Sequence, residues 1–470
     1  MKVLFIGKYY FFENIPIMFL SGYLKKHGHE CYYLDIKLQR NIIQKVKKIN
    51  PSVIGYNMIT GFGKSLIEVN SKLKKNHTFF SVFGGAHCTL FPELIYNNDV
   101  DAVCRGEGEI AFLELINALE KKSDIRFIKN FWIKSDGKVY QNEIRDCHKN
   151  IDEITFPDRS IFDRYNQYYK LGRRNVITTR GCPFNCTFCY SNALKNIMGI
   201  HNSSVRQRSV ENVIHELSEI KKKYKPQRIK FVDDTLIYNK KWALQFLGTY
   251  EKEIKIPFIA CVRIDLLDEE LIISMKNAGC MVAEFGIECG DEGLRYNLLK
   301  RKISNEQIIQ TSHLLRKYKI KSMALNMVGL PKETIEQCIA TIKLNIDSKV
   351  TYPHTVMYTP YPQTELGDYA IREGLFDGDY NKISFQFMYA KCLLKTKEAK
   401  KIKRLQYLFS FFTAFPVLLP MLKFLIKLPF TKFYQFIFFI HRVINHLFIS
   451  RQHLISDLLI LPKIREKNNQ

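Results

Sequence analysis

The segment TTRGCPFNCTFCY, residues 178–190, contains three cysteines separated by four and three positions: Cys182, Cys186 and Cys189. Pro183 and the glycine before Cys182 disfavour a regular helix, so we expect a loop that wraps its thiolates around one object. Thiolates are soft ligands that suit iron–sulfur clusters. Three of them leave one iron of a four-iron cluster open, and an open coordination position is typical of catalytic metal centres.

A structural zinc site with His201 as its fourth ligand is the alternative. Such sites usually combine two ligand pairs, and no second cysteine or histidine pair follows the loop. The other nine cysteines stand singly, which is typical of small buried hydrophobic residues. They are Cys31, Cys88, Cys104, Cys147, Cys261, Cys280, Cys289, Cys338 and Cys392.

Apolar runs alternate with helical patterns on the carboxyl side of residue 175. Six such alternations predict a partial (β/α)6 barrel over residues 175–394. Its strands are expected near residues 175–179, 228–232, 257–261, 282–287, 321–328 and 354–358.

Apolar runs and helical patterns also alternate over residues 1–145, so the predicted fold class is α/β. Its almost wholly apolar strands predict a Rossmann-like, doubly wound parallel sheet, whose ligands bind beyond the carboxyl ends of the strands. A hairpin is expected over residues 129–141, and residues 146–174 indicate a linker to the barrel. The parallel strands are expected at residues 2–7, 31–36, 52–57, 79–84 and 101–104.

The composition is strongly basic, with 71 Lys and Arg against 46 Asp and Glu and a net charge of +25. Lysine is abundant throughout the chain, so basicity alone does not indicate a nucleic-acid partner, and we expect none. The opening MKVLFIG predicts a first strand and not a secretory signal. We therefore expect a reducing, cytoplasmic location in which the twelve cysteines form no disulfide framework.

The C-terminal segment, residues 395–470, has a different composition. It contains no acidic residue between Glu398 and Asp457, while Lys and Arg recur among phenylalanines. Residues 405–422 are uncharged and approach the roughly 20 residues that span a bilayer, but Pro416 and Pro420 interrupt them. The pattern favours helices that lie peripherally on the inner face of a membrane. Packing as core or at an oligomer contact, and a spanning helix, are the alternatives.

The CxxxCxxC motif, ending in an aromatic residue after a strand, resembles the radical S-adenosylmethionine superfamily over roughly residues 175–375. The resemblance implies a 4Fe-4S cluster on Cys182, Cys186 and Cys189 that cleaves S-adenosylmethionine reductively. Five further segments support it: residues 231–235, 263–265, 285–290, 329–334 and 360–366.

The resemblance also implies contacts to S-adenosylmethionine. Asp233 and Asp234 would approach its amino group and Arg263 its carboxylate, because opposite charges attract. Glu288 would accept hydrogen bonds from the ribose hydroxyls, and Tyr190 would present its backbone beside the adenine. Alternatively, these residues only cap strands or stabilise loops. Their shared position at one rim of the barrel favours the functional interpretation.

Two loops of the first domain resemble the cobalamin-binding domain that is fused to many radical S-adenosylmethionine enzymes. Paired glycines let a backbone approach a bulky ligand closely. Residues 7–13 contain no histidine, so we expect cobalamin without a histidine on cobalt. A domain that keeps the shape but binds nothing is the alternative, and His87 is either a ligand contact or a satisfied loop histidine. The predicted cobalamin residues are Gly84, Gly85, His87, Thr89, Gly106 and Glu107.

Together the resemblances imply an enzyme like the class B radical methyltransferases. A 5'-deoxyadenosyl radical would activate an unreactive carbon of a small molecule or lipid, and cobalamin would deliver the methyl group. An electron donor such as flavodoxin or ferredoxin is implied as a partner. The alternatives are a radical cyclase, oxidase or rearrangement enzyme similar to the anaerobic porphyrin cyclases, and a non-catalytic, membrane-bound iron–sulfur scaffold. A methylthiotransferase is disfavoured, because the first domain lacks three clustered cysteines.

Overall fold

The computed structural model describes residues 1–7, 13–61, 63–165, 172–199, 205–383 and 391–449. Four of the sequence-based expectations fall partly or wholly outside these ranges. They concern His201, most of the first loop at residues 8–12, part of the linker at residues 166–171, and the end of the tail at residues 450–470.

The N-terminal half forms a seven-stranded sheet of order β2-β1-β3-β4-β5-β6-β7. The first five strands are parallel, and the last two add the predicted antiparallel hairpin. Helices cover both faces, as the apolar strands predict. The strands are β1 (Lys2–Gly7), β2 (Glu30–Asp35), β3 (Val53–Asn57), β4 (Phe80–Gly84), β5 (Ala102–Cys104), β6 (Phe131–Ser135) and β7 (Lys138–Gln141). The helices are α1 (Ile15–Lys26), α2 (Ile42–Ile49), α3 (Gly63–Lys74), α4 (Ala86–Leu90) and α5 (Glu109–Lys121).

The predicted linker is packed against the first domain where the structure describes it. It contains short 3-10 helices at Ile151–Glu153 and Arg159–Tyr165. Phe162 and Tyr165 are buried in the core of the N-terminal sheet, where both rings contact Tyr33. These buried aromatic side chains make the segment part of the fold and not a loose connection.

The second half forms a six-stranded parallel sheet of order β8-β11-β12-β13-β14-β15, so the predicted partial barrel is confirmed. Its main core lies between the sheet and the surrounding helices. The strands are β8 (Arg173–Val176), β11 (Arg228–Phe231), β12 (Phe258–Cys261), β13 (Cys280–Glu288), β14 (Lys321–Val328) and β15 (Tyr352–Met357), with a separate ribbon of β9 (Thr179–Arg180) and β10 (Arg206–Gln207). The helices are α6 (Tyr190–Ile197), α7 (Val210–Tyr224), α8 (Lys240–Glu253), α9 (Glu269–Asn277), α10 (Asn305–Lys317), α11 (Ile335–Asp347) and α12 (Glu365–Arg372).

The tail is helical, as predicted, but its first helix is part of the barrel core. Helix α13 (Ala399–Ala414) packs on β15 and α11, where Leu405, Phe409 and Phe412 are buried. It is followed by a 3-10 helix (Pro416–Met421), α14 (Leu422–Leu425) and α15 (Thr431–Ile449). Across the described part of the chain, none of the helices combines the length and apolarity that crossing a membrane requires.

Candidate active site

The carboxyl edges of the two parallel sheets face each other. Helix α4, which follows β4 of the first sheet, packs against α6, which follows the three cysteines. The Nε2 of Gln363, beyond the last barrel strand, donates to the carbonyl of Leu90 at 2.6 Å. Ligands of open parallel sheets bind at this edge, so the arrangement brings two ligand-binding edges together at one interface.

The cysteine loop is held in shape by its backbone and by neighbouring turns. Gly181 has φ +92°, a conformation that favours glycine, and Cys189 occupies the position just before α6. The carbonyl of Thr187 accepts from the backbone N–H of Leu366, and its hydroxyl donates to the carbonyl of Leu298 at 2.6 Å. The loop is therefore fixed to the barrel from both sides.

The three thiols fit an iron–sulfur cluster chemically. The pKa of Cys182 is raised to about 11, mainly by burial and also by the nearby charges of Asp234, Cys189 and Cys186. Burial, with the charge of Asp234 as a further cause, also raises the pKa of Cys189. Deprotonated thiols in such a setting need a cationic partner. Among the described residues, no three potential ligands are placed to bind a single metal ion. A cluster does not require this, because each thiolate would bind a different iron.

Arg263 lies directly beside this loop. Its guanidinium sits 3.5 Å from the centre of the Phe184 ring, and its NH1 lies 3.9 Å from the Cys186 sulfur. Its Nε also pairs with Asp265 at 2.8 Å, which fixes the guanidinium in place. A buried, oriented guanidinium at this point can bind a carboxylate through its remaining donors.

Asp233 holds the strand that leads into the cysteine loop. Its Oδ1 accepts from the backbone N–H groups of Thr178 and Thr179, at 2.7 and 2.6 Å, and from both of their hydroxyls. Its Oδ2 is buried without a hydrogen-bond partner in the described structure. Burial raises the pKa of this carboxyl although the hydrogen bonds oppose the shift. One oxygen is therefore structural, and only the other remains for a ligand.

Asp234 and Tyr190 follow β11 and the cysteine loop, at the carboxyl edge of the barrel sheet. Both side chains have open surface, yet protein surrounds them closely enough that loss of solvation raises their pKa values, that of Tyr190 to about 12. Asp234 is thus better placed than Asp233 to meet a cationic group.

Glu288 lies at the end of β13 in the left-handed region, with φ +66°. A β-bulge precedes it, and its carboxylate folds back over Gly286 so closely that a side chain there would overlap it. Burial raises its pKa, and the charges of Arg301 and Arg263 oppose that shift. A carboxylate held in this strained position at the rim suits hydrogen-bond donors such as ribose hydroxyls.

The paired glycines of the first domain allow backbone packing. A Cβ on Gly85, which has φ +97°, would lie 2.2 Å from Oδ1 of Asn57 and 2.8 Å from the carbonyl of Met58. Gly84 is less crowded, because its Cβ would lie 3.5 Å from Cys104. Gly85 therefore allows the loop after β4 to press against the loop after β3, next to the point where the strand order reverses.

His87 and Thr89 connect the loops of the same edge. A ring nitrogen of His87 lies 3.1 Å from the Thr60 hydroxyl, and burial lowers the pKa of His87 to about 4, so the ring is neutral near pH 7. The hydroxyl of Thr89 accepts from the N–H of Gly106 at 3.0 Å. Gly106 has φ +72° and packs close to Ile144. These residues shape the edge at which cobalamin is expected.

Glu107 is held by arginines of the barrel half. Its carboxylate accepts from both NH1 and NH2 of Arg206, at 2.8 and 2.7 Å, and lies 3.2 Å from Arg180. Arg180 also donates to Glu109 at 2.6 Å. Burial works against the charged form of Glu107, but the two arginines outweigh it and lower its pKa. Arg180 stands two residues before Cys182, so this clamp joins the expected cobalamin loop to the cysteine loop.

A polar cluster on the inner side of the barrel sheet was missed by sequence reasoning. Lys230 Nζ lies 2.7 Å from a carboxylate oxygen of Glu284, and the thiol of Cys261 donates to the same carboxylate at 3.4 Å. Ile229 and Phe231 belong to the outer core, so the intervening Lys230 points inward. A charged residue within each of two strands is the signal that could have indicated these positions.

Comparisons with known proteins agree with this architecture. The model of the B12 binding domain matches residues 1–116, and that of the radical SAM superfamily matches residues 176–344. An uncharacterized methyltransferase of Pyrococcus horikoshii is 34% identical over 343 residues, covering 71% of this chain and 72% of the relative. The anaerobic magnesium-protoporphyrin IX monomethyl ester cyclase of Rubrivivax gelatinosus is 25% identical, covering 74% of this chain and 65% of the cyclase.

Solved structures share the fold. The radical S-adenosylmethionine methyltransferase TsrM of Kitasatospora setae superposes with a TM-score of 0.67 at 15% identity, covering 79% of this chain and 76% of TsrM. The two domain matches imply a 4Fe-4S cluster, S-adenosylmethionine and cobalamin as cofactors, as expected from the motifs. The identity to the Pyrococcus methyltransferase and the paired domain matches show that the chain belongs to the radical S-adenosylmethionine enzymes with an N-terminal cobalamin-binding domain.

Proposed function

We propose that the protein methylates an unactivated carbon of a small-molecule or lipid substrate, with Cys182, Cys186 and Cys189 as the ligands of its cluster. The observation that carries the proposal is that the ligand-binding edges of the two sheets face each other. Helices α4 and α6 join these edges, and so do the ion pairs of Glu107 with Arg206 and Arg180. The similarity to the Pyrococcus methyltransferase favours methylation over other radical chemistry.

The side chains at the barrel rim would bind and orient S-adenosylmethionine. Asp234, and the unpartnered Oδ2 of Asp233, would accept from its amino group, and Arg263 would bind its carboxylate. Glu288 would accept from the ribose, and the backbone at Tyr190 would lie beside the adenine. When bound, the cluster and S-adenosylmethionine supply a carbon-centred radical and cobalamin supplies the methyl group.

The loops at Gly84, Gly85, Thr89 and Gly106 would hold cobalamin with no histidine on cobalt. His87 would then contact the ligand as a neutral hydrogen-bonding group, because burial keeps it uncharged. Glu107 would act on cobalamin mainly by positioning its loop, since its carboxylate is engaged by Arg206 and Arg180. The charged pair Lys230 and Glu284 would give the inner wall of the barrel polar groups for substrate recognition.

The proposal includes partners and a place of action. Reduction of the cluster requires an electron donor such as flavodoxin or ferredoxin. The protein would act in the cytoplasm, with its basic, aromatic C-terminal segment in peripheral contact with the inner face of a membrane and with no nucleic-acid partner. The lack of acidic residues between Glu398 and Asp457 supports this contact.

Methyl-labelled S-adenosylmethionine tests the proposed chemistry. A strain lacking the gene should accumulate the substrate, and extracts of that strain, supplied with anaerobically reconstituted protein and labelled cofactor, should yield a product that carries the label. Cys186→Ala should yield neither this product nor 5'-deoxyadenosine, because it removes a cluster ligand. Cys280→Ala is the matched control, since Cys280 lies buried in the outer core of the barrel.

Two results would contradict methylation. A product without label, formed together with 5'-deoxyadenosine, would indicate the radical cyclase or oxidase alternative. Wild-type protein with a full complement of iron that forms no 5'-deoxyadenosine in the complete extract would indicate a non-catalytic scaffold.

A further inference from the structure

The C-terminal helices have two apolar sides. Tyr434 and Phe438 of α15 are buried in the core that α13 forms with the barrel, four residues apart on one side of the helix. Phe433, Phe436 and Ile440 recur at spacings of three and four on another side and are exposed. The second side has no role in holding the barrel together.

This exposed side belongs to a segment that is rich in exposed apolar side chains. Nine of the seventeen exposed large apolar side chains in the described part of the chain fall within residues 415–440. Val417 is 90% exposed and Phe424 is 63% exposed. A concentration of exposed apolar side chains in so short a segment is typical of an interaction site. We call it the C-terminal apolar face: Phe415, Val417, Leu418, Met421, Phe424, Phe430, Phe433, Phe436 and Ile440.

The charges around the face indicate what covers it. Lys423, Lys427 and Lys432 are exposed among its phenylalanines, and the only acidic partner recorded for them in the described structure is Glu336, 3.0 Å from Lys423. Residues 399–456 contain no Asp or Glu. A second copy of this face would bring like charges together, which disfavours a symmetric dimer. An anionic surface would complement both the lysines and the apolar side chains.

We propose that the C-terminal apolar face docks the enzyme on an anionic lipid bilayer, with its phenylalanines in the headgroup region and its lysines against lipid phosphates. The inference locates the membrane contact included in the proposed function and does not depend on the radical chemistry. Helix α13 then fastens the face to the barrel, because its Phe409 and Phe412 are buried against the fold. The barrel would be held at the membrane by a rigid element.

Vesicle flotation of the full-length protein tests this docking. The protein should float with vesicles of phosphatidylglycerol and phosphatidylcholine, less with phosphatidylcholine alone, and less in high salt, which screens the lysines. The double variant Lys427→Glu, Lys432→Glu should bind anionic vesicles at least roughly 25-fold more weakly, since each lost cation accounts for roughly fivefold. The double variant Phe433→Ser, Phe436→Ser should weaken binding to both kinds of vesicle by roughly tenfold or more.

Matched substitutions elsewhere control for general changes in surface charge and apolarity. Phe127→Ser removes a 69% exposed phenylalanine of the N-terminal domain, and Lys241→Glu reverses an exposed lysine on α8. Both should float like the wild-type protein. All variants should keep the iron content of the wild type, which separates loss of docking from loss of fold or of the proposed chemistry.

Three outcomes would overturn the inference: a wild-type protein that stays unbound, charge variants that float as well as the wild type, or equal binding to neutral and anionic vesicles. Sedimentation without lipid tests the alternative, in which a second copy of this chain covers the face. A wild-type dimer that becomes monomeric on Phe433→Ser, Phe436→Ser substitution would assign the face to a second copy. Because Lys427 and Lys432 are exposed, the charge variant tests the docking even if the phenylalanine variant misfolds.

Discussion

At the scale of single residues, Gly85 shows how a backbone requirement shapes the expected cobalamin edge. Its backbone, with φ +97° and ψ −178°, lies in a region that is essentially restricted to glycine, and another residue there costs on the order of 1–3 kcal/mol. A Cβ would also overlap the side-chain oxygen of Asn57 and the backbone of Met58, and the backbone contact cannot be relieved by a change of rotamer. A side chain here must therefore push the loop after β4 away from the loop after β3.

We expect Gly85→Ala to abolish retention of cobalamin, measured from the absorbance of the bound corrinoid after gel filtration. Gly28→Ala is the matched control, because Gly28 has a similar φ of +85° but its Cβ would meet nothing within 4 Å. Gly28→Ala should lower stability by about 1 kcal/mol and leave cobalamin bound. Equal retention by both variants would show that the packing of these loops does not shape the site.

Glu107 illustrates what sequence alone could not predict about the candidate site. Its glycine-rich setting and its place after β5 indicated a ligand contact, but the arginines that hold it come from positions about 70 and 100 residues away. Such partners follow from how two domains dock, and no local spacing encodes them. The cysteine motif could be predicted from the sequence, because one loop contains all three expected ligands within eight residues.

At the scale of elements, strands and hairpin were predictable because buried parallel strands leave continuous apolar runs. The role of α13 was not, since a helix with lysines and phenylalanines has the same pattern whether it covers a barrel or a membrane. In the structure, the first helix of the tail covers the barrel, whereas side chains later in the tail are exposed. Phe409 of α13 is fully buried, and Phe436 of α15 is 57% exposed.

These two phenylalanines should respond oppositely to substitution. Phe409→Ala should lower the free energy of unfolding by about 3–5 kcal/mol, because it opens a cavity between α13, α11 and β15. Phe436→Ala should change it by less than about 0.5 kcal/mol, as is usual for exposed positions. Denaturant titrations of the cofactor-free protein, followed by tryptophan fluorescence and circular dichroism, provide the measurement. Similar losses in both variants would mean that α15 is packed on both sides.

At the scale of the whole molecule, buried ion pairs join the two halves. Arg159 of the linker pairs with Glu13 of the first domain at 3.1 Å and with Glu216 of α7 at 2.8 Å. The Glu107 clamp forms a second junction beside the cysteine loop. Breaking one partner of a buried pair is strongly destabilising because the other charge is left uncompensated. The docking of the halves, and with it the expected distance between the two cofactors, therefore depends on a few carboxylates.

The pH dependence of this docking has a definite sign. Glu107 and Glu216 are buried, which opposes their charge, but neighbouring arginines lower both pKa values below the ordinary range. A carboxyl group whose pKa is lowered by folding contributes stability above its unfolded pKa and loses it as pH falls through its folded pKa. The contribution should thus be complete at pH 6 and diminish below about pH 4.5.

Glu107→Gln isolates the clamp, because glutamine keeps the shape but removes the titration. At pH 6 the variant should be less stable by about 1.5–3 kcal/mol, the range for hydrogen bonds to charged groups. The difference from wild type should shrink as pH falls below about 4.5. Glu114→Gln is the control, since its partner Arg145 lies outside the clamp and Glu114 is half exposed.

Because Arg180 leads into the cysteine loop, pulsed electron paramagnetic resonance should also show a broader distribution of distances between reduced cluster and cobalt in Glu107→Gln than in Glu114→Gln. A distance distribution like that of the wild type, with stability lowered at all pH values alike, would make Glu107 an ordinary packing residue with no part in positioning the cofactors.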